Sequence, residues 1–116
     1  MQTVVETPAF LSDAAALGMT ESERLEILTF LARNPEAGDV IPGTGGARKL
    51  RFVGRNKGKS GGYRVITFFT GTALPVFLLN VFAKNEKTDL TKRECAALKD
   101  VLGAITASYR KRKASK

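Results

Sequence analysis

Residues 48–83, RKLRFVGRNKGKSGGYRVITFFTGTALPVFLLNVFA, carry three strand-like runs separated by glycine-bearing connections. In the first, Arg48 to Val53, Leu50 and Phe52 alternate with Lys49 and Arg51, the period-two pattern of a strand with one apolar and one cationic face. The second, Tyr63 to Thr70, is rich in β-branched and aromatic residues, and the third, Leu74 to Ala83, is nearly all apolar; both compositions favour strands. Glycine-rich links of this kind suit an antiparallel meander. Pro75 has no N–H to give to a ladder, so it belongs at the start of the third run or at a position that does not bond.

Outward from this stretch the signals become helical. Gln2 to Glu6 is a short strand ending at a Thr-Pro step. Thr7 before Pro8 is an N-cap followed by proline at the first helical position, and Phe10, Ala14 and Leu17 recur at helical spacing until Gly18. Thr20 and Glu23 form a capping box, after which Leu25, Ile27, Leu28, Phe30 and Leu31 make a broad apolar face that Asn34-Pro35 ends. Residues 35–46, PEAGDVIPGTGG, show neither period and are expected to be a loop. A second capping box, Thr91 with Glu94, opens a last helix marked by Cys95, Leu98, Leu102, Ile105 and Tyr109. The predicted fold class is α+β, in the order β-α-α-β-β-β-α, with a mainly antiparallel sheet flanked by helices. One domain is expected over residues 1–109, followed by a basic tail over 110–116.

Composition narrows the chemistry. Of 116 residues 43% are hydrophobic and 26% charged, the balance of a folded globular chain of one-domain size. No apolar run approaches the roughly 20 residues that cross a bilayer, and residues 1–20 lack the features of a secretory signal. The expectation is a cytoplasmic protein with no membrane partner. Cys95 is the one cysteine and histidine is absent, which excludes an intramolecular disulfide and any Ser-His-Asp or Cys-His nucleophile, and nearly excludes a zinc site. Chemistry falls to Lys, Arg, Tyr or carboxylates, with no cofactor or metal expected.

The net charge of +8 is unevenly placed. Residues 1–38 hold Arg24 and Arg33 against six acids, whereas 48–64 hold Arg48, Lys49, Arg51, Arg55, Lys57, Lys59 and Arg64 with no acid. Arg110, Lys111, Arg112, Lys113 and Lys116 form a second basic cluster. Such concentrations of like charge repel one another unless a polyanion neutralises them, and cations set among glycines suit a phosphate backbone. Lys49 and Arg51 leave the same face of their strand, with Arg64 in the next strand within cross-strand reach. The GTGG segment before Arg48 lacks the glycine spacing, the Lys-Ser/Thr ending and the helix of a nucleotide phosphate loop.

Three segments together, NPEAGDVIPGTGGARKLRF (34–52), KGKSGGYRVITFF (57–69) and VFAKNEKTDLT (81–91), resemble the RelE/HigB branch of the RelE/ParE toxin superfamily, especially its HigB-like members. The resemblance covers about residues 1–108. It implies a RelE-like compact domain that acts as the toxin of a type II toxin–antitoxin system. The implied activity is a ribosome-dependent endoribonuclease, an mRNA interferase that inhibits translation. In such enzymes a ribose 2′-hydroxyl attacks the adjacent phosphate, and no metal is needed. The implied partners are the ribosome, messenger RNA and a cognate antitoxin, expected to be of helix-turn-helix type and encoded by the adjacent gene.

Matched position by position, the family's basic pair falls on Lys49 and Arg51, with Lys49 taking the 2′-hydroxyl proton and Arg51 orienting the scissile phosphate. The family's arginine on the following strand falls on Arg64, which would stabilise the phosphorane-like transition state through paired donors. The basic cluster after the last strand falls on Lys84, Asn85 and Lys87. Many relatives carry arginine where Asn85 stands, so the charge role passes to Lys84 or Lys87. The aromatic that some relatives use to stack on a base has no match at Thr91, which leaves Tyr63 as the candidate. Arg48, Arg55, Lys57 and Lys59 complete the expected RNA-binding set, and no residue is assigned as general acid. ParE-like relatives share the fold and poison DNA gyrase instead; the density of cations on two adjacent strands favours the nuclease. A non-catalytic RNA-binding module would use the same charge for adhesion alone.

Overall fold

The chain runs through β1 (Val4–Glu6), α1 (Pro8–Ala16), α2 (Glu21–Arg33), β2 (Asp39–Val40), β3 (Ala47–Phe52), β4 (Tyr63–Phe68), β5 (Val76–Ala83) and α3 (Lys92–Ala114). The computed structural model describes residues 2–53, 62–71, 74–83 and 90–114, with the side chains of α3 described as far as Tyr109. The strands form one sheet in the order β1-β5-β4-β3-β2, parallel at the β1–β5 edge and antiparallel elsewhere. The fold is α+β as the sequence predicts, with one strand added. That strand, β2, lies in the stretch expected to be loop. Two residues carry no periodicity, and the strand exists because Asp39 and Val40 meet Lys49 and Arg48 of β3. Gly38, just before it, has φ +96°, and a Cβ there would stand 2.7 Å from the Lys49 carbonyl oxygen. Only glycine allows that approach.

Local hydrogen bonds explain where the helices begin. The Thr7 hydroxyl accepts from the Phe10 N–H at 3.3 Å and donates to the Leu78 carbonyl at 2.7 Å, so the cap of α1 also ties it to β5. At α2 the Glu23 N–H donates to the Thr20 hydroxyl at 3.1 Å, while the Thr20 N–H donates to Glu23 Oε1 at 3.0 Å. Thr91 and Glu94 make the same reciprocal pair before α3. That helix continues through Ala114, so residues 110–113 prolong it.

Each sheet face carries its own core. On one, Phe10 and Ala14 of α1 and Ile27 and Leu31 of α2 pack on Tyr63, Val65, Val76, Leu78 and Val81. On the other, Leu98 and Leu102 of α3 cover Ala47, Ile66, Phe68, Phe77 and Leu79, and Tyr109 meets Phe77 edge-on with ring centroids 5.6 Å apart. Coverage on both sides is why β4 and β5 read as near-continuous apolar runs. A register shift interrupts β4 and β5: Ile66 faces Asn80 but Thr67 faces Leu78, so Leu79 is an extra residue on β5. This bulge changes the phase of the alternation. Val81 therefore enters the α1–α2 core, and Phe82 falls on the face that α3 partly covers.

Candidate nucleic-acid interface

The pairing of β3 with β4 decides which cations share a surface. Ala47, Lys49 and Arg51 stand opposite Phe68, Ile66 and Arg64, whereas Leu50 and Phe52 stand opposite Val65 and Tyr63. Ile66 and Phe68 lie under α3. Lys49, Arg51 and Arg64 thus belong to the α3 face, and Leu50 and Phe52 pack against the α1–α2 core. Helix α3 covers the Ala47–Phe68–Leu79 end of this face. At the other end β3 finishes, β4 begins and β5 finishes, and there Arg51 is exposed and Arg64 half-buried.

Arg51 and Arg64 are direct cross-strand partners, an arrangement of like charges that is unfavourable in a purely structural surface. The Arg64 Nε is buried and has no hydrogen-bond partner among the described residues. Lys49 is half-buried, two residues along β3, and borders a hollow lined also by Asp39, Leu90 and Cys95. Asp39 is the Cα partner of Lys49 across β2. The acid absent from residues 48–64 is therefore supplied by a neighbouring strand, which sequence order does not reveal.

Of the other expected residues, Arg48 and Tyr63 are not gathered with these three. Arg48 lies on the opposite face of β3 and donates from Nη1 to the Gly38 carbonyl at 3.1 Å, a tether for the chain entering β2. The expectation that Tyr63 stacks on a base is corrected. Its ring is 3% exposed in the α1–α2 core, and its hydroxyl donates to Glu23 Oε2 at 3.5 Å. Burial, with the nearby Glu23 charge and its hydrogen bond, raises the tyrosine pKa above its ordinary 10.0. Arg55, Lys57, Lys59, Lys84 and Lys87 lie outside the described residues. Phe82, not singled out from sequence, is the Cα partner of Arg64 on the cationic face. The bulge at Leu79 brings it there, and only the strand register would have signalled it.

The described residues therefore place two arginines and a lysine on one face of the sheet, beside an aromatic residue. Planar paired donors fit phosphate oxygens, and the arrangement suits a strand of sugar and phosphate lying across β3 and β4. Among the described residues no helix is long and apolar enough to cross a membrane. A family model described as the RelE toxin of the RelE/RelB toxin–antitoxin system matches residues 36–115, from the turn before β2 through α3. With most of its length so matched, the chain belongs to the RelE toxin family, and its role is that of the toxin in a toxin–antitoxin pair.

Proposed function

We propose that this toxin, of the HigB-like kind, is a metal-independent endoribonuclease that cuts messenger RNA on the ribosome and so inhibits translation. The observation that carries the proposal is the direct opposition of Arg51 and Arg64 on an open sheet face that also bears Lys49. A buried guanidinium N–H left without a partner costs roughly 1–3 kcal/mol, and proteins retain such costs mainly at functional positions. The 2′-oxygen bonds to the adjacent phosphorus, the bond from phosphorus to the 5′-oxygen breaks, the departing 5′-oxygen takes a proton from solvent water, and the products are a cyclic phosphate and a 5′-hydroxyl. Lys49 takes the 2′-hydroxyl proton; Arg51 orients the phosphate, and Arg64 binds the charge that grows on its oxygens. Lys84 and Lys87 are the candidates for further charge stabilisation, and Arg55, Lys57 and Lys59 for holding the backbone.

Primer extension on transcripts after brief induction tests this. In-frame cuts that require translation are expected, and Lys49→Ala or Arg64→Ala should slow them by on the order of 10²–10³-fold with the melting temperature kept. Full toxicity in either variant removes that residue from the mechanism. Intact messages with DNA damage would point to gyrase poisoning, and intact messages without toxicity to a binding module. The cognate antitoxin is proposed to be of helix-turn-helix type and encoded next door; failure of the flanking gene product to co-purify with the toxin would refute that. The 110–116 segment is proposed to touch ribosomal RNA in the cytoplasm, beyond a domain that ends at Tyr109. Its deletion should lower the slope of log affinity for ribosomes against log salt by about 0.7–0.9 per cation removed, and an unchanged slope would contradict it.

A further inference from the structure

Helix α2 carries more apolar surface than the sheet covers. Ile27 and Leu31 are buried in the α1–α2 core, whereas Leu25 is 59% and Phe30 40% exposed. Val53, just past the end of β3, is 60% exposed. These three border one groove of about 660 Å³, walled by α2 on one side and by Phe52 and Val53 on the other. Its α2 lining runs from Ser22 to Asn34 along one side of the helix, a line of about 18 Å at 1.5 Å per residue. Leu11, Val40 and Val101, the other large apolar side chains exposed among the described residues, lie on α1, β2 and α3 and do not line it. Clustering of exposed apolar side chains in one depression marks a surface for another protein.

We propose that this groove is the docking site of an amphipathic helix of the antitoxin, its apolar stripe in the groove and its acidic flank on the cations around it. A toxin of a toxin–antitoxin pair has such a protein partner, so the inference does not depend on the nuclease proposal. A line of about 18 Å is the length of three helical turns, which accommodates the i, i+4, i+7 anchors of a helix laid in a groove. Charge decides between the antitoxin and a second copy of this chain. Phe52 and Val53 follow Arg51, which lies on the other face of β3 opposite Arg64, and Arg33 is exposed in the groove lining itself. Glu26, the acid in that lining, is already engaged within the chain. A second copy joined through the same patch would bring its own Arg51 and Arg64 to this end, like against like, on a chain of net charge +8. Carboxylates beside the partner's apolar stripe instead meet Arg33 and, past the end of β3, Arg51.

The probe is the protein that restores growth when co-expressed with the toxin. Methyl NMR of the full-length toxin titrated with it should move the Leu25 and Val53 signals and leave those of Leu11, Val40 and Val101 in place. Leu25→Glu, at an exposed helix position, should keep the melting temperature and full growth inhibition, yet weaken binding by roughly 30-fold, so that the partner no longer restores growth. Val53→Glu should weaken binding to a similar degree from the opposite wall, which separates a lost contact from a disturbed helix. Arg33→Glu should slow association about tenfold at low salt. Wild-type affinity in both Leu25→Glu and Val53→Glu, or methyl shifts at Leu11, Val40 or Val101 in place of Leu25 and Val53, overturns the proposal. A toxin that is dimeric alone and made monomeric by Leu25→Glu would give the groove to a second copy, and an association rate unchanged by Arg33→Glu would overturn the acidic flank. Uncut messages from a toxin whose partner binding responds to these variants would sink the nuclease proposal and leave the docking site standing.

Discussion

Tyr63 precedes Arg64 in the chain and lies on the opposite side of the sheet from it, so one peptide step separates the hydrophobic core from the cationic surface. Burial, and then the Glu23 carboxylate beneath its hydroxyl, raise the Tyr63 pKa above 10.0. The folded state therefore holds the phenolic proton more tightly than the unfolded chain. The resulting stability is complete below the unfolded value, and is lost as pH climbs from there through the raised folded value. Melting temperature against pH should fall more steeply above about pH 10 in the wild type than in Tyr63→Phe, and parallel curves would contradict this. The common face of Lys49, Arg51 and Arg64 follows from their alternation with Leu50, Phe52 and Val65. The same period-two rule, applied strictly, sets Arg48 and Tyr63 on the other face. Charge alone groups Arg48 with the cations, and adjacency alone groups Tyr63 with Arg64; neither decides the face. Asp39 and Phe82 were not legible, because their places depend on strand register and no local pattern encodes it.

Capping signals explain why the helix starts were readable: each is a contact between residues three apart, settled within one turn of chain. The box at α2 has a further consequence. Glu23 accepts the Thr20 N–H at Oε1 and the Tyr63 hydroxyl at Oε2, so one buried carboxylate fixes the start of α2 and joins it to β4. Thr20→Ala should cost about 1 kcal/mol, the usual value for a lost N-cap. Glu23→Ala should cost more, since it also strands a buried hydroxyl, at roughly 1–3 kcal/mol in addition. Urea unfolding of both variants and of Tyr63→Phe checks the coupling: equal losses for Thr20→Ala and Glu23→Ala would mean that the Tyr63 contact contributes nothing. The two elements that the sequence missed are of the opposite kind. β2 is defined only by its pairing with β3, and the extra residue Leu79 sits inside an apolar run whose two faces are both buried, where no polar residue marks the change of phase.

At the scale of the molecule, α1 and α2 lie on one face of the sheet and α3 on the other, and at the end of the α3 face where β3 finishes Arg51 and Arg64 meet without a described counter-ion. Stability and the proposed RNA binding are thus opposed at this end of the sheet. Like charges directly across a strand pair destabilise by roughly 0.2–1 kcal/mol, and salt screens the effect over a Debye length of about 10 Å at 0.1 M. Arg51→Ala should accordingly melt at the same temperature as the wild type or slightly above it at low ionic strength. The difference should vanish in about 1 M salt, where the screening length is roughly 3 Å, while RNA affinity at low salt falls. Paired melting curves at the two salt concentrations are the measurement. A variant less stable than the wild type by more than about 1 kcal/mol at both would show Arg51 held by an internal partner, since an exposed, repelled guanidinium has little folding energy to lose.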